Sequence, residues 1–345
     1  MAASSDPNVS LLLMIGGDAP DRVVRQGRGV RITGASDISK LLLPTDRYHR
    51  LHIHRNLLRA ARRPELGNYR HLLNLITEAE QNSRSLEIMH KLTRDVPGKV
   101  INRPQAVLRS TRDQVARRLA GVPGLVVPEV VRLAAGKSAA VCERAFSDSG
   151  AAPPFILREA GTHGGRIVGC FESVETLLSA RNPEVDHIAT RFVDFKSADG
   201  LYRKYRVFVI GGKPILRHML ISERWNVHAH DRAGFMAARP ELVAEERALF
   251  EEGAPLAPAV RQVLQGVGER MALDFFGIDF GITRDAEVVL FEANATMNFF
   301  PFSPEPQFDY LKRCFLPARQ AFRDLLGLAP QPQGDAGLNP RLEPA

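Results

Sequence analysis

Three residues with hard oxygen atoms in their side chains, Asp279, Glu292 and Asn294, lie in a segment patterned as a β-hairpin. Two apolar runs flank a short polar stretch, and a turn centred on Asp285 and Ala286 sets Asp279 directly opposite Glu292. Asn294 lies two residues beyond Glu292 and therefore projects from the same face of its strand. Directly opposed residues have Cβ atoms roughly 4.5–5.5 Å apart. The pattern therefore predicts that two carboxylates and one amide gather at a single place on a sheet.

Two carboxylates at this separation repel each other unless a cation lies between them or one of them takes up a proton. Carboxylate and amide oxygens are the ligands that Mg²⁺ prefers, and Mg²⁺ usually completes its shell with water and phosphate oxygens. The three side chains therefore indicate a magnesium–nucleotide site. A surface hairpin with solvated acids is the alternative that spacing alone leaves open.

Cationic side chains precede this hairpin. Arg158 lies just before a glycine-rich turn, Gly161-Thr162-His163-Gly164-Gly165. Successive N–H groups in such a turn can form a nest for an anion. Lys204 and Arg206 alternate on one predicted strand and therefore share a face. Together these features favour phosphate binding, with an ordinary glycine turn and two solvated cations as the alternatives.

A further set of donors follows a later strand. Arg224, Asn226 and His228 share a face if the chain stays extended. Such a set suits phosphate and carboxylate oxygens. A polar loop around a buried Trp225 is the alternative.

The composition is typical of a soluble globular protein, with 44% hydrophobic and 25% charged residues. Its 345 residues predict two or three domains. No apolar run is long enough to cross a membrane. The three cysteines lack metal-ligand spacing, which predicts reduced thiols and a cytoplasmic location. The net charge of +7 admits a nucleic-acid partner, but the basic residues are scattered and nucleic-acid motifs are missing, so we expect none.

The apolar pattern predicts an α/β chain with mixed α+β units. Predicted strands cover residues 9–15, 100–102, 126–133, 155–158, 166–170, 205–210 and 214–221. One predicted helix begins near Ser110, and two others cover residues 173–180 and 258–274. Residues 68–94 are largely helix-compatible. The basic segment 47–63 predicts an edge strand rather than a metal site at His52 and His54. We expect units at 1–105, 106–189 and 190–328, with a disordered tail at 329–345.

The order of the motifs is as informative as any one of them. A glycine-rich strand–turn–strand is followed by the strand of Arg206, an Arg-x-Asn-x-His motif, a Gly-Ile-Asp strand and a Phe-Glu-x-Asn strand. This order resembles the ATP-grasp superfamily, in particular glutathione synthetase and the bacterial ligases that add glutamate to ribosomal proteins. The resemblance covers roughly residues 100 to 325. It implies an N-terminal α/β pre-ATP-grasp domain and two α+β subdomains with ATP between them.

The resemblance also implies roles. Asp279, Glu292 and Asn294 match magnesium ligands, with Mn²⁺ as an alternative ion. Arg206 and Arg224 match residues that act at the transferred phosphoryl group. The remaining matches are to ATP-binding positions, namely Arg158, Thr162, His163, Gly164, Gly165, Phe192, Val193, Lys204, Asn226 and His228. Phe192 and Val193 correspond to the hinge whose backbone meets adenine.

The implied reaction is an ADP-forming ligation of a carboxylate to an amine through an acyl phosphate, with ATP and both substrates as partners and a homo-oligomer as one option. Two alternatives remain: a ligase acting on a ribosomally made peptide docked by the basic segment, and a non-catalytic ATP-binding regulator. The chain departs from the family at Arg158, where lysine is usual, at Arg191, where an acid is common, and after Asn294, where a Pro-Gly pair is common.

Overall fold

The computed structural model describes residues 9–18, 23–26, 29–32, 36–54, 56–59, 64–161, 167–251, 256–296 and 298–330, with the backbone alone for 23–26 and 29–32. Thr162 to Gly165 and most of the predicted tail lie outside the described residues. Among the residues that are described, no helix has the length and apolar character needed to cross a bilayer.

The strands are β1 (Leu11–Gly16), β2 (Val23–Gln26), β3 (Gly29–Ile32), β4 (His49–Ile53), β5 (His71–Asn74), β6 (Lys99–Ile101), β7 (Leu125–Val126), β8 (Val130–Leu133), β9 (Phe155–Glu159), β10 (Ile167–Phe171), β11 (His187–Arg191), β12 (Tyr202–Ile210), β13 (Lys213–Ser222), β14 (Phe275–Ile282) and β15 (Val288–Asn294). The α-helices are α1 (Ser83–Thr93), α2 (Pro104–Leu108), α3 (Arg112–Leu119), α4 (Ala139–Ser149), α5 (Val174–Ala180), α6 (Pro240–Glu251), α7 (Pro258–Met271) and α8 (Phe315–Leu325). Short 3-10 helices lie at Ile38–Leu41, Leu57–Arg59 and Pro306–Cys314, and a π-helix at Arg232–Met236.

The first sheet has the strand order β4-β1-β5-β6 with parallel neighbours, and the basic strand β4 lies at its edge as predicted. The helical prediction for residues 68–94 is correct for α1 but wrong for β5. Leu72 and Leu73 of β5 are fully buried. A parallel strand covered on both faces is a continuous apolar run, which periodicity does not distinguish from a buried helix.

The second sheet is antiparallel, in the order β10-β9-β11-β8, and has a small core that includes Phe146 of α4 and Leu177 of α5. The third sheet has the order β13-β12-β14-β15-β7. The prediction of one strand at 126–133 is wrong, because β7 pairs in parallel with β15 in the third sheet while β8 joins the second. Pro128, which has no N–H to donate, lies where the chain leaves one sheet for the other.

The third sheet is built from two hairpins. Gly211 and Gly212 have φ angles of +57° and +78°, as a tight turn between β12 and β13 requires. In the second hairpin, Asp279 faces Glu292 as predicted, but Phe280 faces Leu290, so the predicted register near the turn is wrong by one residue. A β-bulge absorbs the extra residue and restores the predicted pairing at the acids.

Helix α7 supplies one side of the core that the first and third sheets share. Its apolar face is buried together with Leu72 of β5 and Phe276 of β14. The helix is confirmed but ends at Met271, because Ala272 takes a left-handed conformation with φ +55°.

Asn102 fixes the start of β14 to the end of β6. Its N–H donates to Asp274 Oδ2 at 2.7 Å, and its side chain bonds the backbone of Asp274 and Phe275. The strand that carries Asp279 is thereby held in place by the first sheet.

Candidate active site

The hairpin of β14 and β15 brings the three predicted oxygen donors together. Asp279 is 5% exposed and Asn294 is 8% exposed, so the surface hairpin with solvated acids is excluded. Asn294 Nδ2 donates to Glu292 Oε1 at 2.6 Å, and Asn294 Oδ1 accepts from the Thr296 N–H at 2.9 Å. The amide is therefore held by a network that includes one of the two acids.

Arg206 lies beside Asp279 because β12 pairs directly with β14. Its Nε and Nη2 atoms donate to the two oxygens of Asp279, each at 2.7 Å. Burial alone would raise the pKa of Asp279, but Arg206 and the nearby Lys204 hold that pKa below its ordinary value. Arg206 is therefore paired with a carboxylate through two hydrogen bonds, and the alternative of a solvated cation is excluded for this residue.

Lys204 lies two residues earlier on β12, and its Nζ donates to the Val227 carbonyl oxygen at 2.6 Å. Burial lowers the pKa of Lys204, while Asp279 opposes that shift. Repulsion from Arg112 and burial lower the pKa of Arg158 to about 9, against the attraction of Glu292. The Nε atom of Arg158 is buried and has no hydrogen-bond partner among the described residues.

Arg112, at the start of α3, is the residue that sequence reasoning missed. Its Nη2 atom lies 2.6 Å from Glu292 Oε2, and its Nη1 atom donates to the Phe291 carbonyl oxygen at 2.9 Å. The sequence marks this position as the beginning of a helix, but no motif connects it to Glu292 far along the chain. The contact depends on how α3 packs on β15, which a local pattern does not record.

A cleft opens beside these groups. It is lined by the segment 77–80 that follows β5, by the start of α3, by residues 159–161 at the end of β9, and by Glu292, Asn294 and Thr296 at and just beyond the end of β15. Gly161, with φ +67°, is the described start of the predicted phosphate turn and lies against Glu80 and Gln81. The cleft therefore extends from Glu292 and Asn294 to Gly161.

Other predicted site residues lie elsewhere. Arg224 is 81% exposed in its side chain, with Glu223 at 4.0 Å, and Asn226 is exposed. His228 stacks on His230 with ring centroids 4.9 Å apart. The loop still approaches the site through its backbone, since Val227 accepts from Lys204.

The predicted hinge connects the second sheet to the third. The Phe192 N–H donates to the Pro154 carbonyl oxygen at 2.8 Å, and its ring packs edge-on against Trp225 at 5.5 Å. Arg191, where an acid was expected, pairs with Glu129. The basic charge at this point is thus neutralised within the second sheet.

The three oxygen donors are of the kind that suits one divalent cation, but in this structure other protein groups hold their oxygens. Two carboxylates and an amide oxygen are hard ligands suited to Mg²⁺. Two guanidinium groups, those of Arg206 and Arg112, neutralise the two carboxylates, which is the charge that one divalent cation would supply. Within the described part of the chain, no group of three or more His, Cys, Asp or Glu side chains is arranged to hold a metal.

No family model matches the chain, and no curated protein matches it. Solved structures do. The VanG D-Ala:D-Ser ligase of Enterococcus faecalis is 12% identical, with a TM-score of 0.53 over 93% of this chain and 99% of that one. The D-alanine-D-alanine ligase of Coxiella burnetii is 12% identical, with a TM-score of 0.52 over 93% and 95%.

The ATP-grasp ligase PsnB, solved with its minimal precursor, Mg and ADP, is 13% identical, with a TM-score of 0.50 over 92% of this chain and 98% of that one. At identities this low, the structural similarity establishes the fold alone. It confirms the fold that the motif order predicted. The chain has the fold of the ATP-grasp ligases.

Proposed function

We propose that this chain is an ATP- and Mg²⁺-dependent, ADP-forming ligase that joins a carboxylate to an amine. One observation carries the proposal. Four cationic side chains, those of Arg112, Arg158, Lys204 and Arg206, lie close enough to the carboxylates of Asp279 and Glu292 for their charges to act on one another. Cationic side chains gathered in a shielded place beside a pair of candidate cation ligands suit a nucleotide triphosphate with its cation, and ATP is such a ligand.

The nucleotide lies, in this proposal, between the second and third sheets, with the hinge at Phe192 and Val193 against adenine. The γ-phosphoryl group passes from ATP to the substrate carboxylate, and ADP leaves. The amine then attacks the carbonyl carbon of the acyl phosphate, and phosphate leaves as the amide forms. Such a reaction needs positioning and charge stabilisation rather than a covalent bond to the protein.

The side chains divide this work. Lys204 and Arg158 stabilise the negative charge of the phosphates, and Arg206 stabilises the transferred group. Asp279, Glu292 and Asn294 would hold Mg²⁺, which neutralises phosphate charge when bound. The free thiols of Cys142, Cys170 and Cys314 are consistent with an enzyme of the cytoplasm.

A substitution of one acid tests the proposal. Glu292→Gln should lower ADP release about 100-fold or more, because it removes one of the two carboxylates that would hold the Mg²⁺ on which phosphate charge neutralisation depends. Glu287→Gln, in the exposed turn of the same hairpin, is the matched control and should leave ADP release unchanged. Thermal unfolding of both variants should stay close to that of the parent chain.

The assay pairs a panel of carboxylates with small amines and with ribosomally made peptides, and measures ADP. ADP release with peptides alone would assign the chain to the peptide-modifying alternative. ATP binding without ADP release over the whole panel would favour the non-catalytic regulator. Normal turnover in Glu292→Gln would refute the assigned site.

A further inference from the structure

The carboxylate of Glu292 contacts two other side chains, one through each oxygen. One of its oxygens, Oε2, lies 2.6 Å from Arg112 Nη2, and the other, Oε1, accepts from Asn294 Nδ2 at 2.6 Å. The side chains of Arg112 and Glu292 are 18% and 20% exposed, so water screens their ion pair only in part. The carboxylate is therefore not available to a cation without a rearrangement.

A divalent cation on Glu292 would lie close to the guanidinium of Arg112. Two positive charges at that distance repel strongly in a shielded site. Arg112 also donates to the Phe291 carbonyl oxygen from Nη1, which holds its guanidinium at the edge of β15. Arg112 and a cation therefore compete for the same carboxylate.

The arginine has another partner within reach if it leaves Glu292. Ser110, Thr111 and Arg112 line the same cleft as Gly161 and Asn294, and the proposed function assigns Asn294 to the cation that accompanies the phosphates. Arg158 is close enough to Arg112 for their charges to repel each other. Two neighbouring guanidinium groups of this kind suit a phosphate between them, because each can donate two hydrogen bonds to its oxygens.

We propose that Arg112 is a phosphate-binding residue that exchanges partners: it pairs with Glu292 without nucleotide and turns to the phosphates when Glu292 takes the cation. This inference rests on the proposed function. It makes cation binding depend on the nucleotide, since the nucleotide gives Arg112 an alternative anion. The cation alone then competes with a preformed ion pair.

Mn²⁺ binding, followed by electron paramagnetic resonance, tests this exchange with and without ADP. The parent chain should bind Mn²⁺ weakly alone and tightly with ADP. Arg112→Gln should bind Mn²⁺ alone about tenfold more tightly, and Mn²⁺–ADP about tenfold more weakly, since each change removes one charge-assisted contact. A residue that only supported the fold would weaken both.

Arg117→Gln on the same helix is the control, because Arg117 is 69% exposed and pairs with Asp113 instead. It should change neither affinity. Arg112→Lys keeps the charge and should bind Mn²⁺–ADP nearly as the parent does. Arg112→Met also removes the charge and should shift both affinities as Arg112→Gln does, so it decides the question if Arg112→Gln does not fold.

Two results would overturn the inference, and they differ in what else they overturn. Equal Mn²⁺ affinity without ADP in the parent and in the folded variant that lacks the charge, Arg112→Gln or Arg112→Met, would show that Arg112 does not compete for Glu292, and the proposed function would stand. No Mn²⁺–ADP binding by the parent chain would remove the proposed function together with the inference.

Discussion

At the scale of single residues, the sequence predicted the acids better than their partners. Asp279 and Glu292 lie on the two strands of one hairpin, so alternation and hairpin register were enough to bring them together. The pairing of β12 with β14, which places Arg206 beside Asp279, was not predicted. Arg112 reaches Glu292 from another part of the chain, and Arg224 points to solvent although it shares a motif with His228. Contacts that depend on how elements pack are not encoded in a local pattern.

The same limit applies to Glu246, a buried acid that no motif indicated. It is 0% exposed and accepts from both terminal nitrogens of Arg232, from the Tyr310 hydroxyl and from the Met219 N–H. This network fixes β13, the neighbour of the strand that carries Arg206.

Glu246→Gln should therefore destabilise the fold by about 3–5 kcal/mol, because it leaves the charge of Arg232 buried without its counter-charge. Urea unfolding measures the change. The double variant Glu246→Leu with Arg232→Met should lose much less than the single variant, since an apolar pair removes both charges. Glu251→Gln, at an exposed position, should change the free energy of unfolding by less than about 0.5 kcal/mol. A small effect of Glu246→Gln alone would show that water reaches Arg232.

At the scale of elements, hairpins and amphipathic helices were predictable, and sheet membership was not. The hairpins of β12 with β13 and of β14 with β15, and helix α7, follow from turn residues and periodicity. Residues 126–133 read as one strand because both halves are apolar, but the two halves belong to different sheets. Which sheet a short strand joins is decided by tertiary packing.

Two residues other than glycine, Asn102 and Ala286, have a left-handed backbone conformation, and substituting them separates the cost of that conformation from the effect of side-chain hydrogen bonds. Asn102 has φ +52° and bonds the start of β14 through its side chain, whereas Ala286 has φ +63° in the hairpin turn. Asn102→Ala should destabilise the fold by about 2–4 kcal/mol, because it leaves buried backbone groups without partners. Ala286→Gly should instead stabilise the fold by up to about 1 kcal/mol, because glycine adopts this φ without strain.

Urea unfolding of both variants, with Asn102→Gly as the third, separates the two effects. Asn102→Gly keeps the conformation but loses the bonds, and should fall between the parent and Asn102→Ala. If Asn102→Gly and the parent had the same free energy of unfolding, the side-chain hydrogen bonds of Asn102 would not anchor β14.

At the scale of the whole molecule, segments of or next to all three sheets line the cleft. One arginine of the second sheet forms ion pairs with two neighbouring segments of the chain. Arg132 on β8 lies 2.6 Å from Glu80, which follows β5, and 2.7 Å from Asp113 on α3. Gln81 donates to the Gly161 carbonyl oxygen nearby. These contacts hold the second sheet against the first over the place where the proposed nucleotide would enter.

Arg132→Gln should therefore open the cleft in solution. It removes two short ion pairs at once and leaves Glu80 and Asp113 to repel each other. Small-angle X-ray scattering should show a radius of gyration of about 20 Å for the parent chain, as expected for a compact fold of this length. The radius of gyration of the variant should be larger. Arg191→Gln breaks an ion pair within the second sheet, with Glu129, and should leave the radius unchanged. If both variants match the parent, contacts other than those of Arg132 hold the second sheet against the first, and Arg132 does not keep the cleft closed.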